Sequence, residues 1–299
     1  MFSDTHFHFH YLVEKNSPEF GAELLSKMAD ADVYFGMDIG TDSSDLLYRR
    51  KVVEDCLDRM DDDHRRKAEK FMYFSAGIWP DIDSIVNREE CIKKLEEQIE
   101  AFKKKDGVFS GRLAAIGEGG LDHHWNPSGT DGRCKEDFNA AVYNGEAELF
   151  EMQLQLAKKM QLPFIVHSRD AYEDTLQCIK NSGYNNGIIH CYSYGLEEAK
   201  SFLDLGWYIS LSGSVTYTKK SRMEDMKKLL SYIPDDRILL ETDSPYLAPV
   251  PLRGNPNNPV FVRHTYEFVA GCRNVSTEEL CVLADKNISA LFNIPPAGL

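Results

Sequence analysis

The sequence predicts an α/β fold, a (β/α)8 barrel followed by extra C-terminal helices. Eight short apolar runs alternate with helical patterns along 299 residues. A barrel of ~250 residues plus a tail fits that length. Histidines and carboxylates fall at the C-terminal ends of several of the runs, the end at which barrels carry their chemistry. The alternation alone leaves an open doubly wound sheet in play, and the placement of the polar residues favours the barrel.

Strands are expected near 2–8, 33–39 (VYFGMDI), 72–78 (MYFSAGI), 113–118 (LAAIGE), 163–167 (PFIVH), 187–191 (GIIHC), 207–212 (WYISLS) and 237–243 (RILLETD). DCLDRMDDDHRRKAEK, residues 55–70, reads as a solvated helix with its connecting loop. NPSGTDGR, residues 126–133, reads as a surface loop. In ELFEMQLQLAKKM, residues Leu149, Met152, Leu156 and Met160 share one stripe at near-helical spacing. LEEAKSFLDLG (196–206) and RMEDMKKLLSYI (222–233) are helical in the same way, and Gly206 suits a C-cap. The tail, 261–293, reads as extra helices, one of them opened by the capping box STEE with Ser276 and Glu279. No internal repeat or low-complexity linker divides the chain, so residues 1–299 are taken as one domain.

No apolar run approaches the ~20 residues of a membrane-spanning helix. The N-terminus MFSDTHFHFH lacks the pattern of a secretory signal. Seven dispersed cysteines with no CxxC pair point to reduced thiols and a cytosol-like compartment. The expected location is cytoplasmic, or nuclear in a cell that has a nucleus. A net charge of −14 argues against a protein that coats nucleic acid electrostatically. It does not exclude an enzyme that grips a few phosphates with metal ions and local arginines.

The expected strands end in His6 and His8, in Glu118, in His167, in His190 and in Asp243. His6 and His8, at i and i+2, leave one face of a strand; a satisfied structural pair is the plainer reading of such spacing. His10 shares their parity but should lie in a loop beyond the strand. A carboxylate at Glu118, after Ala-Ala-Ile-Gly, is costly unless paired or metal-bound, and its neighbouring glycines allow close backbone approach. A lone His167 would be read as a core hydrogen-bonder, but His190 repeats the pattern one strand later. Glu241 has the same parity as Asp243, and Asp243 is preferred because it lies nearer the rim. His123 and His124 read as loop residues outside the ligand set, and His64 and His264 as surface residues. There is no P-loop, GxSxG, HExxH or GxGxxG pattern.

Four histidines and two carboxylates on one rim are too many for one tetrahedral ion and suit two divalent cations with a bridging carboxylate. Asp243 is then the residue placed to take or relay a proton.

DTHFH, GEGGLD, PFIVHSRDA, IIHCYS and LLETDSPYLAPVPLRG, in that order, resemble the successive signatures of the TatD deoxyribonucleases, metal-dependent members of the amidohydrolase superfamily. The resemblance runs from residue 4 to about 293 and implies a distorted TIM barrel that hydrolyses DNA phosphodiesters at a two-metal site. It implies that His6 and His8 bind one metal, His167 and His190 the other, that Glu118 bridges them, and that Asp243 completes the first and acts as base. A 3′–5′ exonuclease acting on single strands or ends is the activity implied, with Mg²⁺, Mn²⁺ or Zn²⁺ as the ions.

Arg169 and Arg253 are the candidates for phosphate contacts, since a guanidinium presents a planar fork of donors; an ion pair with Asp170 or a neighbouring carboxylate is the plainer role for Arg169. Ser193 and Tyr217 are placed in the groove by position. Two residues depart from the family pattern: Trp79 stands where a histidine is usual, and His10 where an aspartate is usual. Trp79 offers a stacking face for a base or, equally, an obstacle to a phosphate. A small ester, lactone, amide or aminoacyl ester therefore remains the alternative substrate, and it also fits the negative charge. A monomer is expected.

Overall fold

In the computed structural model, residues 2–127 and 133–297 are described. Eight strands are present: β1 (Asp4–Phe7), β2 (Gly36–Asp38), β3 (Met72–Ala76), β4 (Leu113–Asp122), β5 (Phe164–Arg169), β6 (Gly187–Ile189), β7 (Tyr208–Leu211) and β8 (Ile238–Leu240). They pair in sequence order and all in parallel. The ring closes between the ends. Ser244, just past β8, bridges Phe7, the Asp243 amide donates to the His6 carbonyl (2.9 Å), and the His8 amide donates to the Ser244 carbonyl (2.8 Å). This is the expected barrel.

The helices are α1 (Phe9–Glu14), α2 (Pro18–Asp30), α3 (Leu46–Leu57), α4 (Asp62–Phe71), α5 (Ile82–Val86), α6 (Arg88–Lys104), α7 (Ala140–Met160), α8 (Tyr172–Ser182), α9 (Leu196–Asp204), α10 (Met223–Tyr232), α11 (Val262–Arg273) and α12 (Thr277–Phe292). The charged segment 55–70 forms the end of α3, a short connection and most of α4. The α4 N-terminus is capped by the Asp61 carboxylate, which accepts from the amides of Asp63 and His64. The Ser276–Glu279 capping box opens α12: Glu279 N donates to Ser276 Oγ at 3.1 Å, and Ser276 N to Glu279 Oε2 at 2.8 Å. Of the loop 126–133, residues 128–132 lie outside the described residues. Among those described, no helix is long and apolar enough to cross a membrane, and all seven cysteines are unpaired.

Two apolar layers hold the barrel. One lies between strands and helices, with Phe74, Phe102, Phe109, Phe150, Phe164 and Trp207 fully buried. The other fills the barrel's interior at the N-terminal ends of the strands: Phe35, Tyr73, Ala115, Ile165, Ile188 and Leu239. The last turns of α12 complete it with Ile288, Leu291 and Phe292, and the Phe292 ring stacks on Phe35 at 4.9 Å. The C-terminal helices thus close the barrel floor.

The structure differs from the sequence-based expectation in three places. Strands β4 and β5 are longer, pairing as far as Asp122 with Arg169, so Ser168 and Arg169 belong to the strand as well as His167. Glycines 119 and 120 disguised that extension, since they carry no side chains to read as a strand face. On α7 the buried face centres on Phe150, Gln153, Leu154 and Ala157, while Met152 and Met160 are half-buried. Gln153 is buried because its amide closes a pair of hydrogen bonds with the Ile78 backbone, accepting from N at 2.8 Å and donating to O at 3.0 Å. His10 lies in α1 rather than in a loop, and is buried. Burial and the nearby Arg49 charge push its pKa down to about 4, which keeps it neutral.

Candidate metal centre

The rim residues are set in place by buried polar contacts below them. Asp4 in β1 accepts from Thr242 N at 2.9 Å and Thr242 Oγ1 at 2.6 Å, which fastens the segment after β8 to β1 and so places Asp243 beside His6. Asp243 has φ +56°, a left-handed conformation that aspartate tolerates better than most residues. Glu118 is set by close backbone packing. Its amide donates to Gly40 O at 2.9 Å, and a Cβ on Gly77 would lie 2.3 Å from the Gly117 backbone. Any side chain at Gly77 would displace the carboxylate. Gly119 is needed for a parallel reason, because a Cβ there would meet the Gln153 amide at 2.6 Å.

All six predicted ligands come together, and the two oxygens of Glu118 face different neighbours. Glu118 Oε2 lies 2.8 Å from His6 Nε2 and 3.7 Å from His8 Nε2, and Asp243 Oδ1 lies 3.7 and 3.5 Å from the same two nitrogens. Glu118 Oε1 lies 3.2 Å from His167 Nδ1 and 3.8 Å from His190 Nε2, which are 3.3 Å from each other. His6 and His190 stack, ring centroids 4.0 Å apart. Yet His6 Nε2 and Glu118 Oε2, though buried and close, make no hydrogen bond. Buried polar atoms without partners are costly, and lone pairs converging in this way fit a shared cation. Imidazole and carboxylate donors in this number suit divalent ions such as Zn²⁺, Mn²⁺ or Mg²⁺.

The electrostatics match that fit. Burial works against the charge on Glu118, but the His190 and His6 charges and a hydrogen bond from His167 hold its pKa well below the carboxylate range. Asp243 is also held low against burial, by the hydrogen bond to His8 and the charges of His6 and His190. Burial opposes protonation of His167, but Asp122 and Glu118 raise its pKa to about 10. A cation entering beside His167 must displace that proton, so affinity there depends on pH.

Two residues of this arrangement have no assigned part in the sequence reading: Asp122 is not singled out there, and Glu241 is weighed against Asp243 and set aside. Asp122 Oδ2 lies 3.1 Å from His167 Nε2, and its Oδ1 lies 3.3 Å from Arg169 Nε. Glu241 Oε1 lies 3.3 Å from His190 Nδ1 and accepts from Cys191 N at 2.7 Å, while Oε2 accepts from Ser210 Oγ at 2.5 Å. Each carboxylate orients one imidazole toward Glu118. Parity gave a signal for both, since Asp122 is four residues from Glu118 and Glu241 two from Asp243. Nothing local indicated that each would face a histidine.

The centre opens into a cavity of about 720 Å³ lined by His8, Glu118, His167, His190 and Asp243, with Trp79, Arg169, Ser193 and Tyr246 among the surrounding residues. Arg169 lines the cavity while paired with Asp122. Arg253 and Tyr217 do not line it: the guanidinium sits over the Tyr217 ring at 4.2 Å and the Tyr217 hydroxyl donates to Ala248 O at 2.7 Å. His123 lies 3.2 Å from Glu146 and His124 2.7 Å from Asp170, both apart from the ligand cluster.

Comparison with known proteins identifies the family. The family model described as "TatD related DNase" matches residues 3–293. The chain is 32% identical over 298 residues to "Uncharacterized metal-dependent hydrolase YcfH" of Escherichia coli, covering 99% of this chain and 97% of that protein. It is 34% identical over 172 residues to "3'-5' ssDNA/RNA exonuclease TatD" of Erwinia billingiae, covering 55% and 65% respectively. The crystal structure of YJJV, a TatD homologue from Escherichia coli, superposes with a TM-score of 0.74 at 23% identity over 98% of both chains, a likeness of fold. The chain therefore belongs to the TatD related DNase family and is a metal-dependent hydrolase.

Proposed function

We propose that this protein hydrolyses DNA phosphodiester bonds with two divalent cations, acting as a 3′–5′ exonuclease on single strands or ends. The observation that carries the reading is the division of Glu118, one oxygen toward His6, His8 and Asp243 and the other toward His167 and His190. When bound, such ions supply Lewis acidity at a phosphoryl group and hydroxide near neutral pH. Glu118 holds both ligand groups at fixed spacing. Asp243 accepts the proton of the attacking water: its side chain is 14% exposed against 5% for Glu118, which gives the proton a route to solvent. Arg169 stands on the cavity wall to hold a non-bridging oxygen.

A second reading has an observation behind it. Among the described residues, Asp42, Asp81, Glu118, Asp122 and Asp243 line the cavity against one arginine, Arg169. Such a lining also suits a small uncharged ester, lactone or amide, which the same hydroxide would attack.

The test is hydrolysis of single-stranded DNA labelled separately at each end. Chelator-stripped protein is resupplied with Mg²⁺, Mn²⁺ or Zn²⁺, and Glu118→Gln serves as contamination control. The expected result is metal-dependent shortening from the 3′ end by the wild type alone. Absence of cleavage with metal bound would move the assignment to the small-substrate reading.

A further inference from the structure

An aromatic ring and a cation occur twice around the centre, once beside each half of the ligand cluster. Near His167, which faces Glu118 Oε1, stands the Trp79 ring, its centroid 5.8 Å away and nearly perpendicular. Arg169 lines the same cavity, paired with the Asp122 carboxylate that faces His167. Near His8, which faces Glu118 Oε2, stands the Tyr246 ring at 6.1 Å, also close to perpendicular. The Lys15 ammonium lies over that ring at 5.8 Å. Tyr246 is 50% exposed although it is a large ring on a buried site's lip. Each side thus offers an aromatic surface and a cation, and the ligand cluster lies between them.

A nucleotide is a planar ring joined to an anion, and each side of the ligand cluster offers a partner for both. We propose that Trp79 and Tyr246 are specificity-determining platforms that stack the two bases flanking the scissile phosphate, with Arg169 and Lys15 steadying the adjoining phosphates. The inference rests on the nuclease reading and goes further, because it makes a dinucleotide step with two unpaired bases the unit recognised. Paired bases cannot present their faces to such platforms, so duplex ends would have to fray before they are bound. Stacking on aromatic side chains tolerates any base, so little sequence preference is expected.

The test is equilibrium binding, by calorimetry, of a dithymidine whose bridging oxygen is replaced by methylene, so that it cannot be cleaved. Analogues lacking either base are compared on the same wild-type protein. Loss of either base is expected to weaken binding by about 5- to 150-fold. Trp79→Ala should erase the dependence on one base and Tyr246→Ala the dependence on the other, whereas Trp79→Phe and Tyr246→Phe should retain most of it. Equal affinity for the complete and base-less analogues overturns the proposal whether or not DNA is cleaved, and so does an equal loss in both variants for both analogues. If the intact analogue binds with the expected base dependence but no DNA is hydrolysed, the platforms stand and the nuclease reading fails.

Discussion

At the N-terminal ends of the eight strands, Phe35, Tyr73 and Phe292 stack in a layer closed by α12. At the C-terminal ends of the same strands, four imidazoles and two carboxylates crowd together, several of their polar atoms without a hydrogen-bond partner. The floor is held mainly by apolar burial, with a few hydrogen bonds such as Asn287 Nδ2 to Ile238 O at 2.9 Å. The rim is held from below by Asp4, Gln153, Asp122 and Glu241, and its inner atoms are left with unsatisfied bonding capacity. This contrast separates what folds the protein from what it does. Substitutions in the floor should cost stability and spare the site, and substitutions in the rim should do the reverse.

The largest effect is expected at Glu118. Glu118→Gln replaces a carboxylate, whose single negative charge is shared over two oxygens, by a neutral amide that serves two cations poorly, so both bound metal and turnover should fall, turnover by ~10⁴-fold or more. Metal analysis of the purified variant beside an activity assay would check it. Wild-type metal content in the variant would show that Glu118 is no bridge. Asp243→Asn should instead cost ~10²–10⁴-fold in turnover with smaller loss of metal, because proton transfer is what the amide cannot do.

The floor gives the converse test. Phe292→Ala removes a nearly buried ring and should destabilise by about 3–5 kcal/mol in urea unfolding, with metal affinity per folded molecule unchanged. A parallel loss of metal affinity would mean that the two ends are coupled. On the rim, Asp122→Asn should weaken metal binding by roughly 10–100-fold through a loosened His167, while the melting temperature stays near that of the wild type. A variant that melts early with unaltered metal affinity would make Asp122 structural.

Legibility in the sequence followed the same division. Most of the strands could be read because they are short apolar runs, and most of the rim residues because they end such a run; β1, DTHF, is the exception. Strand parity was enough to put His6 and His8 on one face. What stayed hidden were polar residues whose role exists only through a distant partner. Gln153 sits on an apolar helix stripe and is explained only by Ile78, 75 positions away. Glu241 depends on His190, 51 positions away. Lys15 and Tyr246 meet only because the chain closes into a ring. Arg253 shows the opposite error: an arginine in a recognisable motif was read toward the cavity, yet its guanidinium lies over Tyr217, away from the lining.

The smallest effect lies in the floor and depends on pH. Asp285 on α12 is buried and accepts from Ser3 Oγ at 2.6 Å, and burial raises its pKa from 3.8 to about 6. Below pH 4 the acid is protonated in both folded and unfolded chains and costs nothing. Between pH 4 and 6 the folded protein holds a proton that the unfolded chain has released, so this residue's contribution to stability falls as pH rises. Above pH 6 the loss is complete, on the order of 3 kcal/mol for a pKa raised from 3.8 to about 6. Asp285→Asn keeps an acceptor for Ser3 and removes the charge. It should therefore stabilise the protein by about that amount at pH 8 and hardly at all at pH 4. Urea unfolding of both proteins at the two pH values measures the difference. A gain of equal size at both would trace the effect to packing, and the contrast between a charge-bearing rim and a floor that resists charge would lose its thermodynamic support.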